Sequence, residues 1–98
     1  MAMDERTKSI LLKCARTYFM VKNWEKALNE YRNLVREFPD DPFIVEPLSM
    51  CLKHMGRLKE AQEQLTQVVS LYERRGHPEK AEKIKVHLQE LQVLLQAA

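Results

Sequence analysis

An apolar pattern in residues 23–39 returns 34 positions later, and this period restricts the fold more than any other feature of the chain. Within each copy an apolar or small residue stands at every third or fourth position, as a helix with one buried side requires. Ala27 and Ala61 occupy corresponding places, and so do Tyr31 and Leu65. A fixed period of this length predicts stacked helix pairs, each completed by its neighbour.

The two copies resemble the tetratricopeptide repeat, a helix-turn-helix unit. The resemblance rests on Ala15, Tyr18, Ala27, Tyr31, Leu34 and Pro39 in the first copy and on Ser49, Leu52, Gly56, Ala61, Leu65 and Val68 in the second. It covers residues 8 to about 75 and implies a right-handed superhelix of antiparallel helix pairs. Two positions depart from the family pattern, because Lys22 replaces a usual turn glycine and Glu73 stands where the closing proline would fall.

A third copy is displaced, because it follows the second after only 20 residues. Tyr72, Gly76 and Ala81 keep the mutual spacing of Leu52, Gly56 and Ala61. The helix ending near Arg75 then belongs to two successive units, which predicts five helices. The expected fold is a single all-α domain over residues 1–98, with repeat one at about 8–41, repeat two at about 42–75 and a C-terminal capping or half-repeat helix at about 77–97.

Proline and glycine place the expected breaks between helices. Asp41 can cap a helix that begins at Pro42, and Gly76 and Pro78 separate the last two helices. Pro47 lies inside the third helix, where it removes a backbone donor, so we expect either a kink or a late helix start. In the first helix the expected buried residues are Ile10, Leu11, Cys14, Ala15 and Tyr18.

Composition and charge indicate the class of partner. The 16 basic and 14 acidic residues leave a formal charge of +2, which is too small to indicate nucleic acid or an anionic membrane. The amino terminus lacks the apolar core of a signal peptide, and no apolar run is long enough to span a bilayer, so we expect a cytoplasmic protein. Cys14 and Cys51 have no CxxC spacing, and we expect both to be buried thiols.

The sequence gives little support to an enzyme. It has no glycine-rich phosphate loop and no recognisable pairing of a nucleophile with a base. His54, His77 and His87 do not have the spacing of metal ligands. We therefore expect no catalytic residues, no metal and no cofactor.

Binding of a protein or peptide is the function that the resemblance implies, because the first helix of each unit lines the concave surface in this family. The candidate partner-binding residues are those that miss the packing stripes, namely Leu12, Lys13, Arg16, Phe19, Met20, Met50, Lys53 and His54, with Glu46 beside them. This mixture of cations with soft apolar side chains suits a peptide that carries acidic and apolar residues. The alternative is that these residues are merely exposed, or covered by helix five.

Some family members hold the terminal carboxylate of chaperone tails with Lys, Asn and Arg on consecutive first helices. Leu12, Arg16 and Met50 stand at the corresponding places here, so that clamp is absent and an adaptor for chaperone tails is not expected.

Helix five carries two apolar stripes, and only one can pack on helix four. Ala81, Ile84, Leu88, Leu91 and Leu95 form the first stripe, while Val86, Val93 and Leu94 lie on another side. The second stripe leads to the rival prediction, a structural protein that forms a homodimer through its C-terminal helix.

Overall fold

The computed structural model describes residues 3–97, and every regular element in that range is an α-helix. The five helices are α1 (Glu5–Met20), α2 (Trp24–Glu37), α3 (Pro42–His54), α4 (Leu58–Arg74) and α5 (Pro78–Ala97). Each helix packs on the next one along the chain. The predicted all-α fold with five helices is therefore confirmed.

Small residues bring the helices close together. Ala27 in α2, Ala61 in α4 and Ala81 in α5 hold the same place in their helices and are almost completely buried. Ala15 in α1 and Ser49 in α3 hold a second such place, 34 residues apart, and are also enclosed. Because these side chains are short, neighbouring helix backbones approach closely and the larger apolar residues fill the space on either side.

Three turns between helices share one backbone conformation. A residue with positive φ closes each turn, namely Lys22 at 62°, Gly56 at 78° and Gly76 at 76°. The amide after it donates to the carbonyl five residues earlier, from Asn23 to Tyr18 at 2.9 Å, from Arg57 to Leu52 at 2.9 Å and from His77 to Tyr72 at 2.8 Å. This is the Schellman arrangement that satisfies the last carbonyls of a helix. The predicted break between the last two helices at Gly76 is thus confirmed, and its left-handed conformation explains it.

The third helix begins at Pro42, so the predicted late start is wrong. Asp41 caps α3 by accepting a 3.0 Å hydrogen bond from the Phe43 amide, and Pro42 occupies the first helical position. These two features fix the first turn. The helix then runs through Pro47 to His54, at the cost of the bond that residue 47 would donate to the Phe43 carbonyl. The alternative, a kink at Pro47, stays a prediction.

Two of the residues expected to be buried in α1 are exposed. Ile10 exposes 53 % of its surface, and Cys14 is also exposed, whereas Ala15 is fully buried. Apolar residues surround almost the whole of α1, so their spacing alone could not select the buried side. Cys51 is buried as predicted, and burial raises the pKa of its thiol to about 11.

The two stripes of α5 have different environments. Ala81, Ile84 and Leu91 are buried, and Leu88 packs beside them, as predicted for the first stripe. Val86, Val93 and Leu94 of the second stripe are exposed. In the part of the chain that the structure describes, no helix is long and apolar enough to cross a membrane.

Candidate functional site

A groove of about 320 Å³ is lined mainly by side chains of α1, α3 and α5, with one tyrosine each from α2 and α4. The side chains that line it are Arg16 and Phe19 from α1, Tyr31 from α2, Phe43, Glu46, Pro47 and Met50 from α3, Tyr72 from α4 and Lys80 from α5. The odd-numbered helices supply two cations, one carboxylate and several apolar groups. The groove therefore offers mixed polar and apolar contacts with a net positive charge from its charged side chains.

Tyr31 forms part of the groove wall with its ring buried. Only 2 % of the residue is exposed, and among residues 3–97 its hydroxyl makes no hydrogen bond. Every fully enclosed polar side-chain atom in that range has a partner, so the Tyr31 hydroxyl is open to the groove. Burial raises the pKa of Tyr31 and Cys51 adds to the shift, while Arg16 opposes it. The phenol thus stays neutral and can donate a hydrogen bond to a ligand.

Tyr72 and Glu46 fix another part of the groove. The Tyr72 hydroxyl donates a 2.6 Å hydrogen bond to Glu46 Oε1. The pKa of Tyr72 lies well above its usual value, first because of burial and then because its protonated form is bonded to Glu46. The Lys80 ammonium lies 5.5 Å from the centre of the Phe43 ring and 6.0 Å from that of Tyr72. These contacts restrain both Glu46 and Lys80, and both side chains line the groove.

Three of the predicted partner-binding residues line this groove, and so does Glu46, which was predicted beside them. Arg16, Phe19 and Met50 all line it, and Arg16 is exposed. Leu12 is half-buried and packs against the core. Met20 exposes 80 % of its surface and does not line the groove. Lys13 lies in a separate shallow depression on another side of α1.

The remaining two predicted residues already have internal partners. Lys53 Nζ lies 3.2 Å from Glu90 Oε2 and 3.4 Å from His87 Nδ1, and so connects α3 to α5. The His54 ring stacks on Trp24, with centroids 4.2 Å apart and planes at 7°. Trp24 also meets Phe19 edge to face at 5.0 Å. Lys53 and His54 therefore contact other helices and do not line the groove. Trp24 lies next to Phe19, which does line it.

Sequence reasoning missed five groove residues, Tyr31, Phe43, Pro47, Tyr72 and Lys80. The two tyrosines had a signal, because a buried tyrosine usually needs a partner for its hydroxyl. Lys80 had none, since the displaced third unit left the orientation of α5 open. Phe43 directly follows Pro42, which opens α3, and it is not part of the 34-residue apolar pattern.

The described residues also bear on metal binding. Within 3–97 the structure gathers no group of three or more His, Cys, Asp or Glu side chains suited to a metal ion.

Comparison with known proteins identifies one segment. The model of the family described as tetratricopeptide repeat matches residues 9–41, which include most of α1, all of α2 and the turn between them. Comparisons with curated proteins and with solved structures gave no match.

Proposed function

We propose that the chain is a non-enzymatic interaction module for a protein partner, because residues 9–41 match the model of the tetratricopeptide repeat family. A peptide segment of that partner binds in the groove between α1, α3 and α5. The module works without a cofactor, as an adaptor, scaffold or assembly factor in the cytoplasm.

The observation that carries this proposal is the Tyr31 hydroxyl, which opens into a groove that also contains Arg16 and Lys80. Because the ring is buried while the hydroxyl is open to the groove, an acceptor atom of a ligand can replace water as its hydrogen-bond partner. Arg16 and Lys80 supply positive charge on two sides of the same groove. The site is therefore suited to a carbonyl or carboxylate oxygen of a bound peptide.

The apolar lining favours a peptide that also carries aliphatic or aromatic side chains. Phe19 and Met50 lie on facing helices, and a methionine adapts its shape to different apolar groups. Glu46 is already bonded to Tyr72, and it repels acidic side chains from its own end of the groove. An acidic residue near Arg16 followed by an apolar residue is the pattern that fits.

Selection from a random peptide library, displayed on phage, tests the proposal directly. Enriched sequences should combine Asp or Glu with an apolar residue. Binding of the synthetic peptides is then followed by the fluorescence of Trp24, the single tryptophan, which contacts Phe19 at the groove. Arg16→Glu should weaken binding by about tenfold or more, because it replaces attraction by repulsion in a partly desolvated site.

Lys59→Glu is the matched control, since Lys59 is exposed on α4 and makes the same change in net charge. It should leave the affinity unchanged. Equal binding by the Arg16→Glu variant and the unmodified chain would show that the groove is not the binding site.

A further inference from the structure

The outward side of α1 exposes apolar and basic residues together. Ile10, Thr17 and Val21 are spaced seven and four residues apart, so they share one side of the helix. Ile10 exposes 53 % and Val21 68 % of their surfaces. Arg6 and Lys13 are exposed on the same side, and Lys13, Cys14, Thr17 and Tyr18 line a shallow depression of about 260 Å³. We call Arg6, Ile10, Lys13, Thr17 and Val21 the α1 end face.

The α1 end face is distinct from the groove. Phe19 points into the groove, whereas Ile10 stands nine positions earlier and so lies on the opposite side of α1, because each residue advances a helix by about 100°. The chain therefore exposes the α1 end face whether or not the groove is occupied.

The last helix exposes a similar apolar side with acidic neighbours. Val86 exposes 54 % and Val93 64 % of their surfaces. Val86, Gln89, Glu90, Val93 and Leu94 line a shallow depression of about 510 Å³ that belongs to α5 alone. We call Glu79, Glu82, Val86, Glu90 and Val93 the α5 end face.

The charges of the α5 end face remain largely accessible. Glu82 and Glu90 each have an internal ion pair, to Lys85 and Lys53, but their side chains are 70 % and 55 % exposed. Glu79 is exposed as well and makes no ion pair among residues 3–97. Carboxylates therefore flank the apolar side chains of this face, and it keeps a net negative charge although Lys83 is also exposed on the same side.

The two faces lie at opposite ends of the row of helices and carry opposite charge. A repeat protein that remains monomeric covers such ends with polar residues, because an apolar end can bind a further unit. Here each end is apolar at its centre, with Arg6 and Lys13 at one end and Glu79, Glu82 and Glu90 at the other. From this complementarity we infer that copies of the chain associate head to tail, with the α1 end face of one on the α5 end face of the next.

The charges favour this arrangement over a symmetric dimer of α5 helices. A symmetric contact would bring the carboxylates of both copies into one interface, where they repel each other. The head-to-tail contact pairs them with Arg6 and Lys13 instead. Because such a contact is not closed by symmetry, each added copy leaves a free face at both ends.

Light scattering on the full chain, from micromolar to millimolar concentration, should show a mean mass that rises beyond that of a dimer. Added salt should reduce this mean mass, because it screens ion pairs that are exposed to solvent. A mass that levels off at the dimer, or that of a monomer throughout, would overturn the inference.

Two variants that each block one end give a sharper test. Ile10→Asp alters the α1 end face, Val86→Lys alters the α5 end face, and both side chains are exposed, so the fold should persist; circular dichroism checks this. Each variant alone should self-associate about tenfold or more weakly. An equimolar mixture of the two variants should form a one-to-one dimer through the two unaltered faces. A mixture of either variant with the control variant Gln67→Asp, whose substitution lies on α4, should not be limited to the mass of a dimer. If Ile10→Asp self-associates like the unmodified chain, the α1 end face is not involved and the inference is wrong.

Discussion

The turn between α1 and α2 and the turn between α3 and α4 have the same hydrogen bonds but different residues. Lys22 takes the positive φ in the first turn and Gly56 in the second. The next residue, Asn23, caps α2 with its side chain, whereas Arg57 makes no side-chain cap at α4. Because the backbone is the same in both, the conformation follows from the packing of the helix pair, and the turn residue changes only its free energy.

The first prediction concerns the positions that force this packing. Ala27→Leu and Ala61→Leu should each lower the free energy of unfolding by about 3 kcal/mol, because the larger side chain cannot fit between closely spaced helices. Urea unfolding followed by circular dichroism measures the change. Ala97→Leu is the control, since Ala97 is exposed and should tolerate the larger side chain.

If the two buried substitutions were as mild as that control, the helices would not owe their spacing to the alanines. The shared turn geometry could then not be attributed to the close packing of the helix pair.

Exchange of the turn residues tests the comparison itself. Gly56→Ala should cost about 1 kcal/mol, because a side chain disfavours positive φ even where the added Cβ meets no atom within 4 Å. Lys22→Gly should gain about as much for the opposite reason. Thermal and urea unfolding of both variants provide the values.

The two variants should change the free energy of unfolding in opposite directions. A loss of stability in Lys22→Gly would mean that the lysine side chain makes a contribution that outweighs its backbone strain.

The sequence predicted the elements of the fold well because the elements depend on local signals. The 34-residue period and its displaced third copy indicated five helices, and Asp41 and Gly76 marked the start of α3 and the end of α4. The groove was predicted only in part, since Arg16, Phe19 and Met50 reach it while Lys53 is drawn away by Glu90. Which side of a helix carries a site depends on contacts between helices distant in sequence, and spacing within one helix does not report them.

The residues that cap the following helix should give the next smaller difference in stability between the two turns. The Asn23 side chain accepts a 3.3 Å hydrogen bond from the Lys26 amide, so Asn23→Ala should cost about 1 kcal/mol. Arg57→Asn should add a comparable cap to α4, but it also removes the exposed ion pair with Glu60, so the net gain should be about 0.5 kcal/mol. Unfolding in urea measures both, and no loss on Asn23→Ala would show that the cap contributes little.

The smallest expected effect separates His54 from Met20, the residue 34 positions earlier, and it depends on pH. Partial burial lowers the pKa of His54 below its ordinary 6.5, and the positive charges of Lys53 and Lys22 lower it further. The unfolded chain therefore binds a proton more readily than the folded one, so this contribution to stability is complete above about pH 6.5 and is lost as the pH falls through the folded value. Unfolding in urea at about pH 8 and about pH 5 should show a smaller decline in the free energy of unfolding for His54→Gln than for the unmodified chain. An identical decline would show that stacking on Trp24 does not distinguish the neutral from the protonated ring. Because His54 is largely exposed, the difference should be smaller than that from the caps.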